Sequence, residues 1–256
     1  MSVRPPAVAG LFYPDDPVEL KEMVERYLAD ARPNGPAPVA LIAPHAGYIY
    51  SGPVAATGYA TVRGPIERVI LLGPAHRYPL RGLAAHSAEA FLTPLGPIPV
   101  DTPELPHTRT LDAAHAGEHS LEVHLPFLQA VLGDFTLTPL VVGDVSADQV
   151  ADVLEQLWGG PETLVVVSSD LSHFHDYDTA VSLDRATATA IEELRHEAVG
   201  PHEACGCRAI GGLLGLARDK GLRATTLDLR NSGDIAGPRN EVVGYGTFAF
   251  GERAME

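Results

Sequence analysis

The chain has 256 residues, 45% of them hydrophobic, and no Gly/Ser-rich or Pro-rich linker divides it, so one domain over residues 1–256 with a substantial core is expected. Its formal charge of −15 argues against a nucleic-acid partner, and no run approaches the ~20 apolar residues of a membrane helix. The opening MSVRPPAVAG lacks the basic and long apolar regions of a secretory signal, and the two cysteines, Cys205 and Cys207, are too close for a structural disulfide; together these point to a reducing cytoplasm.

In chain order, Val3 to Tyr13 reads as extended and punctuated by Gly and Pro. Asp15 or Asp16 can cap a helix with Pro17 in its first turn. Leu20, Val24, Tyr27 and Leu28 recur at helical spacing, and Pro33-Asn34-Gly35 stops it. Val39 to Ala43 is a short apolar run suited to a buried strand. Pro44 ends it, His45 follows, and a small-residue helix from Pro53 to about Val62 is expected. Arg68 to Leu72 is a second buried strand, running into Gly73-Pro74-Ala75-His76. Leu83 to His86 and Ile98 to Val100 are shorter strand candidates, and Asp101 to Gly117 reads as loop with a short helix. Leu121, Leu125, Leu128 and Leu132 mark one helical face, with Pro126 demanding a late start or a kink. Phe135 to Val142 is a strand, and Ser146 with Gln149 forms a capping box for a helix to about Trp158. Thr163 to Val167 is the third buried strand, ending in Ser168-Ser169-Asp170-Leu171-Ser172-His173. Helices over Asp178 to His196 and Ala209 to Lys220 follow, then strands Ala224 to Leu229 and Val242 to Phe250. Strands alternating with helices predict a layered α/β architecture around one sheet.

Three strands thus run out into His45, His76 and the Asp170/His173 pair. In open α/β sheets, ligands bind beyond the carboxyl ends of the strands. Two neutral imidazoles on rigid strand ends are a natural start for a transition-metal site. A carboxylate as third ligand gives the two-His-one-carboxylate iron(II) pattern, whereas a thiolate favours copper(I) or zinc. Cys205, Cys207 and Glu203 are the candidates for that place. Asp170 can orient His173 or tune its pKa, or simply cap a helix. His119 and His124 are separated by about 140° on a helix, so they do not share a target. His119 at the loop-to-helix junction is the better site residue, and His124 reads as a core histidine with a local partner. His86, His107, His115, His175, His196 and His202 look peripheral. Ser168, Ser169, Asp170 and His173 are the residue types of a hydrolytic triad, but no Gly-x-Ser-x-Gly elbow accompanies them.

Six ordered stretches resemble the Memo family: APHAGYIYSG at 43–52, GPAH at 73–76, EHSLEVHLPFLQ at 118–129, SSDLSH at 168–173, ACGCRAIGGLL at 204–214 and NSGDIAGPRNEVVGYG at 231–246. That family is similar in fold to the class III extradiol ring-cleaving dioxygenases, which implies an α/β domain with a central mixed sheet flanked by helices. Those dioxygenases hold non-haem iron(II) with two His and a Glu. By motif, the resemblance implies His45 and His76 as metal ligands, Cys205 as the third in place of the Glu, and no ligand role for Cys207. It implies His119 and His173 as second-sphere histidines and Asp170 as an acidic site residue. The expected cofactor is iron(II) or copper, with zinc as the alternative, and the expected activity is a metal-dependent, dioxygenase-like oxidation of a small-molecule substrate. His173, oriented by Asp170, would move a proton, and His119 would contact oxygen or substrate. The runner-up is a non-catalytic binding module for a peptide or for a radical-SAM protein, with the metal pocket retained.

Overall fold

The computed structural model describes residues 2–32, 35 and 37–252. After the short β1 (Val3–Arg4), Asp16 opens α1 (Pro17–Asp30): its carboxylate accepts from the amides of Val18 and Glu19, and Pro17 has no amide to satisfy. The helix ends at Asp30, and Pro33 and Asn34, expected to stop it, lie outside the described residues. β2 (Ala40–Ala43) leads into α2 (Tyr48–Tyr59) and then β3 (Arg68–Pro74). Here the expectation needs correcting, because α2 starts at Tyr48 and holds Pro53 in its interior. The carbonyl that Pro53 leaves without a donor belongs to Ile49, which is exposed and can be met by solvent.

The Pro-rich stretch supplies β4 (Leu83–Ala85), β5 (Ala90–Thr93), β6 (Gly96–Pro99) and β7 (Thr108–Thr110), followed by the single turn α3 (Asp112–His115). A 3-10 turn over Glu122–His124 precedes α4 (Leu125–Leu132), so Pro126 falls in a first turn where its ring is tolerated. β8 (Thr136–Val142) and α5 (Ala147–Leu157) follow, the latter with the Ser146/Gln149 capping box formed. The remaining elements are β9 (Thr163–Ser168), β10 (His173–His175), α6 (Tyr177–Glu192), α7 (Cys207–Asp219), β11 (Arg223–Asn231), α8 (Ser232–Ile235) and β12 (Val242–Gly251). α6 is shorter than its sequence suggests. The chain leaves it through Leu194 at a positive φ of 54°, and His196 sits in a separate 3-10 turn.

Among the described residues, the larger of two sheets has nine strands, in the order β10-β12-β2-β9-β3-β8-β4-β7, with β11 paired to β12. β2, β9, β3 and β8 are parallel, whereas β12 and β4 join antiparallel, so the sheet is mixed. Alternation along these strands sends Ile42, Leu72 and Val167 to one face and Leu41, Leu71 and Val166 to the other. The first face packs on α5, α6 and α7 through Val150, Leu154, Ile191 and Leu213, and the second on α1, α2 and α4 through Leu20, Ala56 and Phe127. Each such buried aliphatic contributes about 1.5–3 kcal/mol, so the sheet centre is a stiff platform. Register matters for the site: Ala43 lies beside Ser168, and Leu72 beside Val167, so the carboxyl ends of β2, β9 and β3 finish level. The second sheet, β1-β5-β6, was not foreseen as a separate unit. No helix among the described residues is long and apolar enough to cross a membrane.

Candidate metal centre

The level strand ends gather the side chains expected from the sequence. His45 leaves β2, His76 leaves β3, and the loop after β9 brings Asp170 beside them. The His45 amide donates to Asp170 Oδ1 at 2.8 Å, pinning the first loop to the third. The ring centroids of His45 and His76 are 5.1 Å apart, edge to face. His119 joins them from the segment before the 3-10 turn, stacked on His76 at 4.8 Å and set 5.4 Å from His45. One ring nitrogen from each of these three histidines lies within 4.8 Å of the others, a spacing at which one ion can be shared.

Cys205 approaches from the other side, at the entrance to α7. Its Sγ is 3.4 Å from His45 Nε2 and accepts the Asp170 amide at 3.3 Å. The thiol therefore touches the centre through His45 rather than belonging to the three-nitrogen cluster. Burial, reinforced by the nearby Asp170 charge, pushes its pKa up to about 12, so it stays protonated until a cation arrives. Cys207, the first residue of α7, is a half-buried free thiol. Gly206 between them is required by space: a Cβ there would come within 2.5 Å of the Ser168 carbonyl oxygen and 2.7 Å of Ser169 Cβ. Gly206→Ala should push the Cys205 loop off the strand ends and cost about 1–3 kcal/mol, read by chemical denaturation. Unchanged stability and unchanged thiol accessibility would contradict that tight approach.

Glu118 is the group the sequence did not single out. Its buried carboxylate accepts from the His76 amide at 2.6 Å, His76 Nδ1 at 3.0 Å and the amides of His119 and Ser120 at 3.0 Å. Burial opposes its charge, but these donors together hold its pKa at about 2. A carboxylate cannot donate, so His76 carries its proton on Nδ1 and offers Nε2 to the centre, the carboxylate–histidine device common at metal sites. His119 Nδ1 is 3.4 Å from the same carboxylate and buried without a hydrogen-bond partner. Burial lowers the His119 pKa, and burial with its histidine neighbours lowers that of His45 well below the ordinary value. Neutral imidazoles, an orphaned ring nitrogen and an adjacent thiol are a donor set that fits a borderline transition metal.

His173 lies half-buried on β10, close enough for its charge to act on both Asp170 and His45. Asp170 makes its side-chain hydrogen bond to the His45 amide and none to His173, so it reaches His173 only through space. Burial raises the Asp170 pKa, against the hydrogen bond from His45. Ser168 has a histidine neighbour, but it is wholly buried and donates to the Ser120 carbonyl at 2.6 Å, which removes it as a nucleophile.

The amino-terminal segment forms one wall. The Phe12 ring packs against His119 at 4.7 Å with a 41° tilt, and its carbonyl accepts the Tyr48 amide at 2.8 Å. Glu122, fully buried, clamps this segment by accepting from the amides of Ala7 and Val8, from Tyr13 Oη and from Arg4 Nη1. Beside His76 and Cys205, a cavity of about 320 Å³ is lined by Ala75, Tyr78, Asp144, Cys205 and Arg208 among others.

Residues 4–249 match the family described as Memo-like protein. The chain belongs to the Memo family. Relatives named "MEMO1 family protein" agree over nearly the full length of both chains. The one from Aquifex aeolicus is 34% identical over 262 residues, covering 96% of this chain and 98% of its own. That from Thermotoga petrophila is 35% identical over 271 residues (94% and 97%), and that from Sulfolobus acidocaldarius 33% over 287 residues (98% and 100%). The Memo match spans every residue of the cradle, from Arg4, which holds Glu122, through His45, His76, His119 and Asp170 to Cys205.

Proposed function

We propose that this Memo-family protein is a metal-dependent oxidoreductase of dioxygenase-like architecture, holding iron or copper with His45, His76 and Cys205 and acting on a small-molecule substrate. The observation that carries this reading is the meeting of three imidazoles and one thiol at the carboxyl edge of the central sheet, with Cys205 Sγ 3.4 Å from His45 Nε2. When bound, the ion would supply one-electron redox chemistry and an open position for a small molecule. The protein's own groups do the rest. Glu118 holds His76 in the orientation that presents Nε2. Phe12 packs against the His119 ring and helps to fix its position. His173, half-buried while His45 is closed off, can exchange a proton with solvent and deliver it near Asp170. His119 then faces substrate.

A second reading is favoured by the nitrogen cluster itself. With His119 as third ligand, three neutral histidines make a zinc-type site suited to activating water. The two differ in proton count, since a thiol must lose its proton to ligate and a neutral imidazole need not. Anaerobic iron(II) or copper(I) titration is expected to release about one more proton per metal in the wild type than in Cys205→Ala. Metal analysis of protein purified anaerobically should give stoichiometric metal in the wild type and its loss in His45→Ala and His76→Ala. Full metal content in both variants would end the assignment, and equal proton release with and without Cys205 would favour the three-histidine site.

A further inference from the structure

Behind His45, on the side away from the thiol, a string of polar groups crosses the apolar interior. Ser168 Oγ lies 2.6 Å from His45 Nδ1, 2.8 Å from His124 Nε2 and 2.6 Å from the Ser120 carbonyl oxygen. His124 Nδ1 is 2.7 Å from Tyr59 Oη. His45, Tyr59, Ser120, His124 and Ser168 are all buried.

The protons in this string can be counted. A serine hydroxyl has one proton to give and two lone pairs to receive, and a carbonyl oxygen only accepts. The Ser168 proton therefore goes to Ser120, and both ring nitrogens facing Oγ must donate to it. Any other arrangement sets two lone pairs against each other at 2.6–2.8 Å, in a buried place where an unmade hydrogen bond is not replaced by water. Both rings are buried, an environment that favours the neutral imidazole over the charged one. A neutral ring has a single N–H, so each tautomer is settled. His124 carries its proton on Nε2 and accepts from Tyr59 on Nδ1, while His45 carries its proton on Nδ1.

We propose that Ser168 and His124 are positioning residues that lock His45 in the Nδ1–H tautomer, leaving the Nε2 lone pair aimed at Cys205 and the metal cradle. The two strand-end histidines are thus presented alike by different means, His76 through the Glu118 carboxylate and His45 through a neutral hydroxyl backed by a second histidine. The neutral device adds no further negative charge beside Glu118 and a thiol that must ionise. The purpose of the lock rests on the metal-centre reading above, but the tautomer is a property of the metal-free protein and can be observed without it.

The test is long-range ¹H–¹⁵N correlation NMR on metal-free, ¹⁵N-histidine-labelled wild type and Ser168→Ala, with anaerobic iron(II) titration of both. In the wild type, His45 should show a protonated Nδ1 and bare Nε2, and His124 the reverse. Ser168→Ala should give His45 a mixture of tautomers and an iron(II) affinity weaker by about 10–100-fold. Ser168→Thr, which keeps the hydroxyl, should restore both, which a role in packing alone would not produce. A protonated His45 Nε2 in the wild type, or an unchanged tautomer and affinity in Ser168→Ala, would overturn the proposal. The expected tautomers in a wild type that binds no iron(II), copper or zinc would uphold the lock and sink the metal-centre reading instead.

Discussion

Glu118→Ala is expected to be the most damaging single change near the centre. The carboxylate satisfies the amides of His76, His119 and Ser120 as well as His76 Nδ1, and Ala leaves all four donors without that acceptor, the Ser120 amide in a fully buried place and the other three part-buried. Each stranded donor costs about 1–3 kcal/mol, so a loss of at least ~3 kcal/mol is expected after relaxation. His76 also loses the partner that fixes its ring, which should weaken metal binding by about 10–100-fold. Glu118→Gln separates the two effects. It keeps one accepting oxygen for the amides but puts an NH₂ where the other oxygen stood, so part of the stability should return while metal affinity stays low. Denaturant titration of both variants, paired with anaerobic metal titration, checks this. A Gln variant that binds metal like the wild type would show that His76 is held by something other than the carboxylate.

A steep loss of stability below pH 6.5 is the second large effect. His45, His115 and His124 are held neutral by burial, with folded pKa values of about 4 for His115 and about 3 for His124. The unfolded chain takes up protons at these histidines near the ordinary value of about 6.5, while the folded chain does not. Between the folded and unfolded values, the unfolded state therefore binds more protons, and stability falls as the pH falls. Each fully buried neutral histidine contributes a slope of about 1.4 kcal/mol per pH unit. Three acting together would exhaust a typical stability of about 5–15 kcal/mol within a few units. Glu118 extends the trend at lower pH, because its stabilisation is lost between the ordinary carboxylate value and about 2. Guanidinium unfolding of metal-free protein at pH 7, 6 and 5 should show the drop, and a flat profile over that range would refute it.

How much of this was legible in the sequence depended on whether the cause was local. The apolar runs ending at Ala43, Leu72 and Val167 announced buried strands, and the histidines after the first two stood out because Pro44 and Pro74 ended those runs. The Ser146/Gln149 box and the Asp16 cap depend on neighbours in sequence and were readable for that reason. The start of α2 was not, because Gly47 makes no side-chain cap and Pro53 looked like a first-turn residue. Glu118 was hidden because its partner, His76, comes from another strand end, and nothing around it marks a carboxylate turned inward. His119 was read as a second-sphere residue, and its ring nitrogen now stands within reach of the same ion as His45 and His76. The tautomer lock depended on the register that sets Ala43 beside Ser168, which no pattern within either strand records.

The wall supplied by Phe12 has a practical side. Because Glu122 ties down Ala7, Val8 and Tyr13, and the Phe12 ring packs at a tilt against His119, the amino-terminal segment is a structural part of the cradle. A protease nick near Leu11, between the clamped Val8 and Tyr13, would disturb ion capture from a distance in sequence. Preparations that differ only at that end are therefore not interchangeable reagents for measuring what this fold does with a metal.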